Sequence, residues 1–264
     1  MPARVKLQVG LLLLAMSGLA VASTIGCARL LPILGLAVAL AWLIGSLWAA
    51  FVYWPKFDLT GNTLWHGPRR QKRLALTFDD GPALSTAPIL DILKARDIKA
   101  TFFFLGERAG QHPELVARVR GEGHALGSHS NTHQKMHRMA AGQIESSLRA
   151  AEAALGEISC ARGSKLLRVP HGFKSLAVVR TASRLGYVLC GWTLGVWDSD
   201  RPGAQVIARR AIAGIRPGCI LLLHDGDGVN PQADRSQTVA ALMPIIDYCL
   251  SAGYQFVTIP ELFS

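Results

Sequence analysis

The chain has 264 residues, half of them hydrophobic and 17% charged, which argues against a purely soluble protein and suits one large domain with an appendage. The formal net charge is +10, but outside one run near residue 70 the basic residues are scattered without interleaved aromatics, which argues against nucleic-acid binding. The five cysteines are odd in number and lack metal-type spacing, so they indicate neither a disulfide framework nor a cysteine-zinc site.

Two apolar segments, residues 7–27 and 30–54, flank Arg29 near the N-terminus. Each is long enough to cross a bilayer core as a helix, which takes about 20 residues. We therefore predict that residues 1–55 form an integral membrane anchor of one or two transmembrane helices, with a helical hairpin as the favoured form. The alternative is a signal peptide cleaved near Ala22.

A basic linker, residues 56–72, follows the anchor and predicts contact with anionic membrane lipids. Positive residues lie on both sides of the two apolar segments, and positive charge favours the cytoplasmic side. Two crossings would therefore place the following domain in the cytoplasm, whereas one crossing would place it outside. The sequence leaves this choice open, and it does not assign an oligomeric state.

From residue 73 to the C-terminus, short apolar runs alternate with longer amphipathic stretches. The expected strands cover residues 74–78, 100–106, 124–130, 165–170, 187–194, 219–226 and 254–259. Expected helices include residues 87–97, 113–123, 142–155 and 236–253. This alternation predicts an α/β fold in which helices cover a parallel sheet that is either closed into a barrel or open and doubly wound.

Polar residues follow several of the expected strands at the point where each ends: Asp79 and Asp80, His129 and His133, Arg168, and His224. Ligand sites in parallel α/β folds form at the carboxyl ends of the strands. We therefore expect these side chains to meet at one face of the sheet.

The adjacent carboxylates and the histidine pair predict a metal site. Neighbouring carboxylates raise each other's pKa, and a bound cation removes that penalty. Two histidines four residues apart can present both imidazoles on one side, and with one carboxylate they leave Zn²⁺ an open position. No glutamate separates His129 from His133, so a catalytic base must come from elsewhere, and Asp79 is the candidate. The expected cofactor is a divalent metal, Zn²⁺ in particular.

The motifs TFDDGP, HSNTH, RVPHG and LLLHDG occur in this order and resemble those of the polysaccharide deacetylase family, the NodB-homology or carbohydrate esterase 4 group. The resemblance covers Leu74 to the C-terminus. It implies a NodB-like catalytic domain over residues 73–264, built as a distorted (β/α)7-type barrel of parallel strands. It also implies hydrolysis of N-acetyl groups from amino sugars of a polysaccharide or lipid-linked glycan, with an N-acetylated carbohydrate as substrate.

The resemblance also implies residue roles. Three metal ligands are expected, and they are Asp80, His129 and His133. Asp79 would be the general base, Arg168 would orient it, and His224 would be the general acid. Expected substrate contacts are Pro170, His171, whose backbone N–H is a candidate oxyanion donor, Trp192, and Leu222, which would line the pocket for the acetyl methyl group.

The chain departs from the family pattern at two motifs. His171 replaces a residue that is commonly tyrosine, and Gly195 stands where a carboxylate normally orients the acid histidine. We hypothesise that Asp198 takes over that orienting role and that Trp192 or Trp197 supplies a missing aromatic wall. Rival interpretations are a deformylase or cyclic-amide hydrolase of the same fold, and a catalytically inactive sugar-binding module.

Overall fold

The computed structural model describes residues 31–53 and 63–264. The chain divides into two compact units between Ala50 and Phe51. The first contains most of helix α1, Leu31–Tyr53, within which residues Pro32–Tyr53 have a mean hydropathy of 2.1 and are long and apolar enough to cross a membrane. One such helix suits either an anchor or a signal sequence. The first predicted segment, residues 7–27, lies outside the described residues, so the hairpin is not shown.

The second unit is built on one sheet, whose strands in the described residues are short. They are β1 Thr63–Leu64, β2 Arg73–Asp79, β3 Thr101–Phe104, β4 Ala125–Ser128, β5 Cys160–Ala161, β6 Ser164–Leu167, β7 Tyr187–Cys190, β8 Leu194–Gly195, β9 Cys219–His224 and β10 Gln255–Val257. Each predicted run overlaps one strand, except residues 187–194, which include β7 and the first residue of β8.

The strand order is β1-β7-β6-β4-β3-β2-β9-β8, and every neighbouring pair in this path is parallel. β10 pairs in parallel with the amino end of β2, and β5 pairs antiparallel with β6. The prediction of a parallel α/β sheet is confirmed. The sheet curls into a half-barrel, and among the described residues no pairing joins β1 to β8, so the distortion expected of the (β/α)7-type barrel takes the form of an open side.

Helices cover the sheet between the strands. They are α2 Thr86–Ala95, α3 Gly106–Gln111, α4 Pro113–Gly121, α5 Ala141–Leu155, α6 Leu176–Arg184, α7 Ala204–Gly214, α8 Ser236–Ser251 and α9 Ile259–Leu262. Helix α5 shows why these segments are amphipathic. Its buried residues Ile144, Leu148, Ala151 and Leu155 recur at helical spacing and form one apolar stripe toward the core.

Strand β2 lies at the centre of the core and leads directly to the polar residues. Residues 74–79 of this strand are all buried, as expected for a strand covered on both faces. Phe78 stacks on Phe102 of β3 with ring centroids 5.1 Å apart. The carboxyl end of β2 is therefore held by packing on both sides, which gives Asp79 a fixed position.

Candidate metal-dependent active site

The carboxyl ends of neighbouring parallel strands bring the predicted polar residues to one edge of the sheet. β2 ends at Asp79 and β9 ends at His224, and these two residues are partners in the strand register. His129 directly follows the end of β4, and Arg168 directly follows the end of the adjacent strand β6. Segments distant in the sequence therefore meet where parallel α/β folds form their sites.

A buried cluster of one carboxylate and two imidazoles lies at this edge. Asp80 Oδ1 lies 3.3 Å from His129 Nε2 and 3.2 Å from His133 Nε2. The potential ligand atoms of the three residues all lie within 4.8 Å of one another. Asp80 and His133 have positive φ, 76° and 56°, a backbone region that is uncommon for non-glycine residues and often found at functional sites.

Burial and the charges of neighbouring groups determine the pKa values of the cluster residues. Burial alone would raise the pKa of Asp80, but the interaction with the neighbouring His129, 3.3 Å away, holds it well below its usual value. Burial would also lower the pKa of His129, but the charges of Asp79 and Asp80 raise it. Burial and the charge of His129 lower the pKa of His133 to about 3. His133 is therefore neutral, and the cluster favours one positive charge beside Asp80.

These residues fit a divalent metal. Asp80 Oδ1 is buried and has no hydrogen-bond donor in suitable geometry among the described residues. His129 Nδ1 donates to the backbone carbonyl of Arg168 at 2.7 Å, which leaves Nε2 as the lone-pair nitrogen facing Asp80. One carboxylate and two neutral imidazoles form a donor set that Zn²⁺ accepts, with a coordination position left for water or substrate.

The second carboxylate has a different partner. Arg168, which is fully buried, donates from Nη1 to Asp79 Oδ1 at 2.7 Å and to Thr77 Oγ1 at 2.8 Å. Its Nη2 donates to the carbonyl of Gly191 at 2.9 Å. The other oxygen, Asp79 Oδ2, lies 3.9 Å from His129 Nε2. Asp79 Oδ1 is thus held by Arg168 at the edge of the metal cluster, and Oδ2 faces His129.

His224 is paired with Asp198, the residue that we hypothesised as its orienting partner. His224 Nδ1 donates to Asp198 Oδ1 at 2.9 Å, and the backbone N–H of His224 donates to Oδ2 at 2.8 Å. Thr238 of α8 also donates to Oδ2, at 3.0 Å. Burial alone would lower the pKa of His224, but the carboxylates, Asp198 foremost, raise it to about 9. The imidazole is therefore protonated at neutral pH in the absence of a cation.

The expected substrate contacts surround these groups. His171 is exposed, has a φ of 60°, and its ring centroid lies 4.6 Å from that of His133. The buried Pro170 begins the same turn. Leu222 lies two residues before His224 on β9, so both side chains are on the same side of the strand. Trp192 is half-buried, and its ring centroid lies 6.0 Å from the Arg168 guanidinium carbon.

Several residues that support the site were not among those predicted from the sequence. Asp225 is fully buried and accepts a hydrogen bond from Thr86 Oγ1 at 2.5 Å. Arg108 and Arg235 are also buried, and both donate to backbone carbonyls near the site. Only Asp225 had a sequence signal, its position beside His224. Bonds to backbone carbonyls leave no motif, so the two arginines could not be found that way.

The sequence and fold of the chain are similar to those of known deacetylases. Residues 66–190 match the family model described as polysaccharide deacetylase. A peptidoglycan-N-acetylglucosamine deacetylase of Bacillus cereus is 36% identical over 210 residues, which cover 78% of this chain and 95% of that protein. The crystal structure of the Bc1960 peptidoglycan N-acetylglucosamine deacetylase superposes with a TM-score of 0.68 at 29% identity, covering 76% and 92% of the two chains.

One similar structure is described as inactive. BA3943 of Bacillus anthracis, described as a carbohydrate esterase 4 family pseudoenzyme, has a TM-score of 0.68 at 28% identity and covers 78% of this chain and 70% of its own. The fold alone therefore does not decide whether a chain of this kind is catalytic. Whether this chain is catalytic has to be judged from the arrangement of the side chains at the strand ends.

Proposed function

The chain belongs to the polysaccharide deacetylase family, and from this premise we propose that it removes N-acetyl groups from amino sugars of a polysaccharide or lipid-linked glycan in a metal-dependent hydrolysis at the membrane. It is a carbohydrate deacetylase, a hydrolase that acts on carbon-nitrogen bonds other than peptide bonds. The observation that carries the proposal is the convergence of a metal cluster, a base paired with arginine and an acid paired with a carboxylate.

Asp80, His129 and His133 would hold the metal. When bound, a divalent metal polarises an amide carbonyl and lowers the pKa of water. The chain's contribution is to fix the donor atoms. The carbonyl of Arg168 sets the tautomer of His129, and burial keeps His133 neutral. His133 already presents a lone pair, and His129 would present one at Nε2 once a bound cation replaces the proton that the two acids favour there.

Asp79 would act as the general base. Its Oδ1 is engaged by Arg168, so Oδ2 is the oxygen that accepts the proton of the attacking water. The hydrogen bond from the buried guanidinium restricts the rotation of the Asp79 side chain. General-base assistance of this kind is typically worth about 10²–10⁴-fold in rate.

His224 would act as the general acid. An amide nitrogen is a poor leaving group unless it gains a proton as the carbon–nitrogen bond breaks. The Nδ1 of His224 is bound to Asp198, so Nε2 is the nitrogen that donates to the departing amine. Water adds to the acetyl carbon, the bond to nitrogen breaks, and the products are acetate and a free amino sugar.

The remaining contacts would orient the acetyl group. Leu222 lies on the same side of β9 as His224 and would contact the acetyl methyl. The backbone N–H of His171 is our candidate donor to the oxygen of the tetrahedral intermediate. Pro170 and Trp192 would form walls beside the sugar. The apolar helix α1 supports placing this chemistry at a membrane.

The experiment is product analysis with the full-length protein purified in detergent. N-acetylglucosamine oligomers should release acetate, the activity should be lost after chelation, and added Zn²⁺ should restore it. Release of formate from a formylated sugar, without release of acetate, would favour the deformylase alternative. Binding of the oligomers without any turnover would favour an inactive sugar-binding module.

A further inference from the structure

The loop that follows β9 packs directly against two of the three candidate metal ligands. A Cβ atom added to Gly228 would overlap the ring of His133, and one added to Gly226 would overlap the backbone carbonyl of Asp80. Neither glycine has a positive φ. Glycine is therefore required at both positions for close approach to the ligands and not for backbone conformation.

Two buried arginines hold this loop in place. Arg108 of α3 donates from Nη1 to the carbonyl of Asp80 at 2.7 Å and from Nη2 to the carbonyl of Asp227 at 2.5 Å. Arg235 donates from Nε to the carbonyl of Gly226 at 2.6 Å and from Nη2 to Asp227 Oδ2 at 2.9 Å. One guanidinium therefore ties the Asp80 loop to the β9 loop, and the other closes the β9 loop on itself.

Asp227 is the common acceptor of this arrangement. Its Oδ1 accepts from the backbone N–H groups of Val229 and Asn230, both at 3.0 Å. Its Oδ2 and its carbonyl are taken by the two arginines. The segment that contacts His133 therefore has few ways to move without breaking charge-assisted hydrogen bonds.

Charge and geometry act in opposite directions at Arg108. A guanidinium whose bonds reach the Asp80 carbonyl repels a cation held by the Asp80 carboxylate, which weakens metal binding. Rigid placement of Asp80 and His133 strengthens it, and groups that orient metal ligands typically contribute 10–100-fold in affinity. The sign of the change on removing Arg108 therefore separates the two effects.

We propose that Arg108, Asp227 and Arg235 form a clamp that holds residues 226–228 against Asp80 and His133. By fixing these two ligands, the clamp determines the metal affinity of the site. They are positioning residues that act through the ligands. The inference rests on the proposed function only in taking these three ligands to hold the metal.

The test measures the zinc dissociation constant by competition with a chelating dye, on full-length protein in detergent. Arg108→Ala and Gly228→Ala should each weaken zinc binding by about 10–100-fold. Arg108→Lys, which retains the charge but cannot bridge both carbonyls in the same way, should fall between Arg108→Ala and the unchanged protein. At saturating zinc, KM should stay within about twofold for all variants. Because the substitutions disturb the metal ligands and not the groups that transfer protons, saturating zinc should also restore most of kcat in the variants.

Two matched substitutions serve as controls. Arg149→Ala removes an exposed arginine that pairs with Glu145 on α5. Gly110→Ala adds a methyl group on α3 where no atom lies within 4 Å. Both should leave the zinc dissociation constant unchanged.

An equal or tighter zinc affinity in Arg108→Ala overturns the clamp. Gly228→Ala retains both arginines, so an unchanged affinity there overturns it even if Arg108→Ala does not fold. Weaker zinc binding in the variants together with no acetate release from the unchanged protein supports the clamp and contradicts the proposed deacetylation. Acetate release together with equal zinc affinity in all variants supports the proposed deacetylation and contradicts the clamp.

Discussion

Asp79 and Asp80 are adjacent in the sequence, but the structure gives them different partners. Asp79 is bound by Arg168, whereas Asp80 faces two imidazoles. The positive φ of Asp80, 76°, turns its side chain away from the direction of the strand. This division lets one carboxylate bind a cation while its neighbour retains a free oxygen for proton transfer.

Asp79→Asn should reduce kcat by about 10²–10⁴-fold, because asparagine cannot accept the proton of water. The metal content should remain that of the unchanged protein, since Asp79 is not among the three clustered ligands. Acetate release and metal analysis measure the two effects. His129→Ala is the contrasting variant, and it should lose both metal and activity. Full activity of Asp79→Asn would contradict its role as the base.

Asp198→Asn should move the alkaline limb of the pH–rate profile to lower pH. His224 donates a proton, so activity falls as pH rises through its pKa, and Asp198 is the leading cause of the raised value of about 9. Without that charge the pKa should fall toward the ordinary value, by about one unit or more. A bound cation lowers the pKa in both proteins, so the shift between them is the measured quantity. An unchanged alkaline limb would rule out the orienting role of Asp198.

Strained backbone positions concentrate around the same residues. Eight described non-glycine residues have positive φ, and five of them lie in loops that lead from the carboxyl ends of strands toward the site: Asp80, Ser130, His133, His171 and Trp197. The other three are Asp97, Arg162 and Arg201. Such conformations cost about 1–3 kcal/mol each and persist where the surroundings enforce them. The well-packed strands that precede these loops are what enforces them here.

At the scale of elements, β9 and α2 meet through a buried acid. Asp225, directly after β9, accepts a hydrogen bond from Thr86, the first residue of α2, and its other oxygen has no hydrogen-bond partner among the described residues. Burial raises the pKa of Asp225 to about 7. The end of one central strand and the start of the helix after β2 are thus joined by a carboxyl group that prefers to be protonated.

Asp225→Asn should make the free energy of unfolding less sensitive to pH. An aspartate with a pKa near 7 in the folded state and about 3.9 in the unfolded state contributes stability that is complete below pH 4 and is lost as pH rises through 7. Between pH 5 and pH 8 this loss is about 2–3 kcal/mol. Urea unfolding of chelator-treated protein at both pH values gives the comparison. The same pH dependence in Asp225→Asn and the unchanged protein would contradict this assignment.

Elements and motifs differ in how far the sequence could predict them. The strands were found because buried parallel strands are continuous apolar runs, and β2 is apolar on both faces. The polar residues at the ends of β2 and β4 were predicted because each motif begins where its apolar run ends. The split of residues 187–194 into two strands was missed, since a bend at Gly191 to Thr193 does not interrupt the apolar run. Whether the sheet closes into a barrel or stays open depends on pairing between strands that are distant in the sequence, and no local sequence pattern encodes that pairing.

At the scale of the whole molecule, the apolar helix and the globular unit have different surface chemistry. Residues of α1 such as Leu36, Trp42 and Ile44 are exposed, an arrangement that is costly in water and favourable in lipid. The globular unit packs most of its large apolar residues into two core clusters and exposes only scattered ones, such as Leu84 and Val229. The helix therefore supplies the apolar surface that a membrane would cover.

Full-length protein should sediment with membranes and resist extraction by alkaline carbonate, because a spanning helix leaves lipid only with detergent. A variant that lacks residues 1–50 should stay in solution without detergent and retain acetate release, since Phe51–Ser264 forms a compact unit. Recovery of the full-length chain in the supernatant would contradict an anchor. N-terminal sequencing of the mature protein distinguishes an anchor from a cleaved signal peptide.

Arg168 links the proposed base to a proposed metal ligand through a single residue. Its guanidinium holds Asp79 and its own carbonyl holds His129. Thermal fluctuations that displace this residue carry both groups in the same direction, so the spacing between proton acceptor and cation varies less than the position of either. We therefore expect the distance between Asp79 and the metal cluster to change little when the open side of the sheet moves.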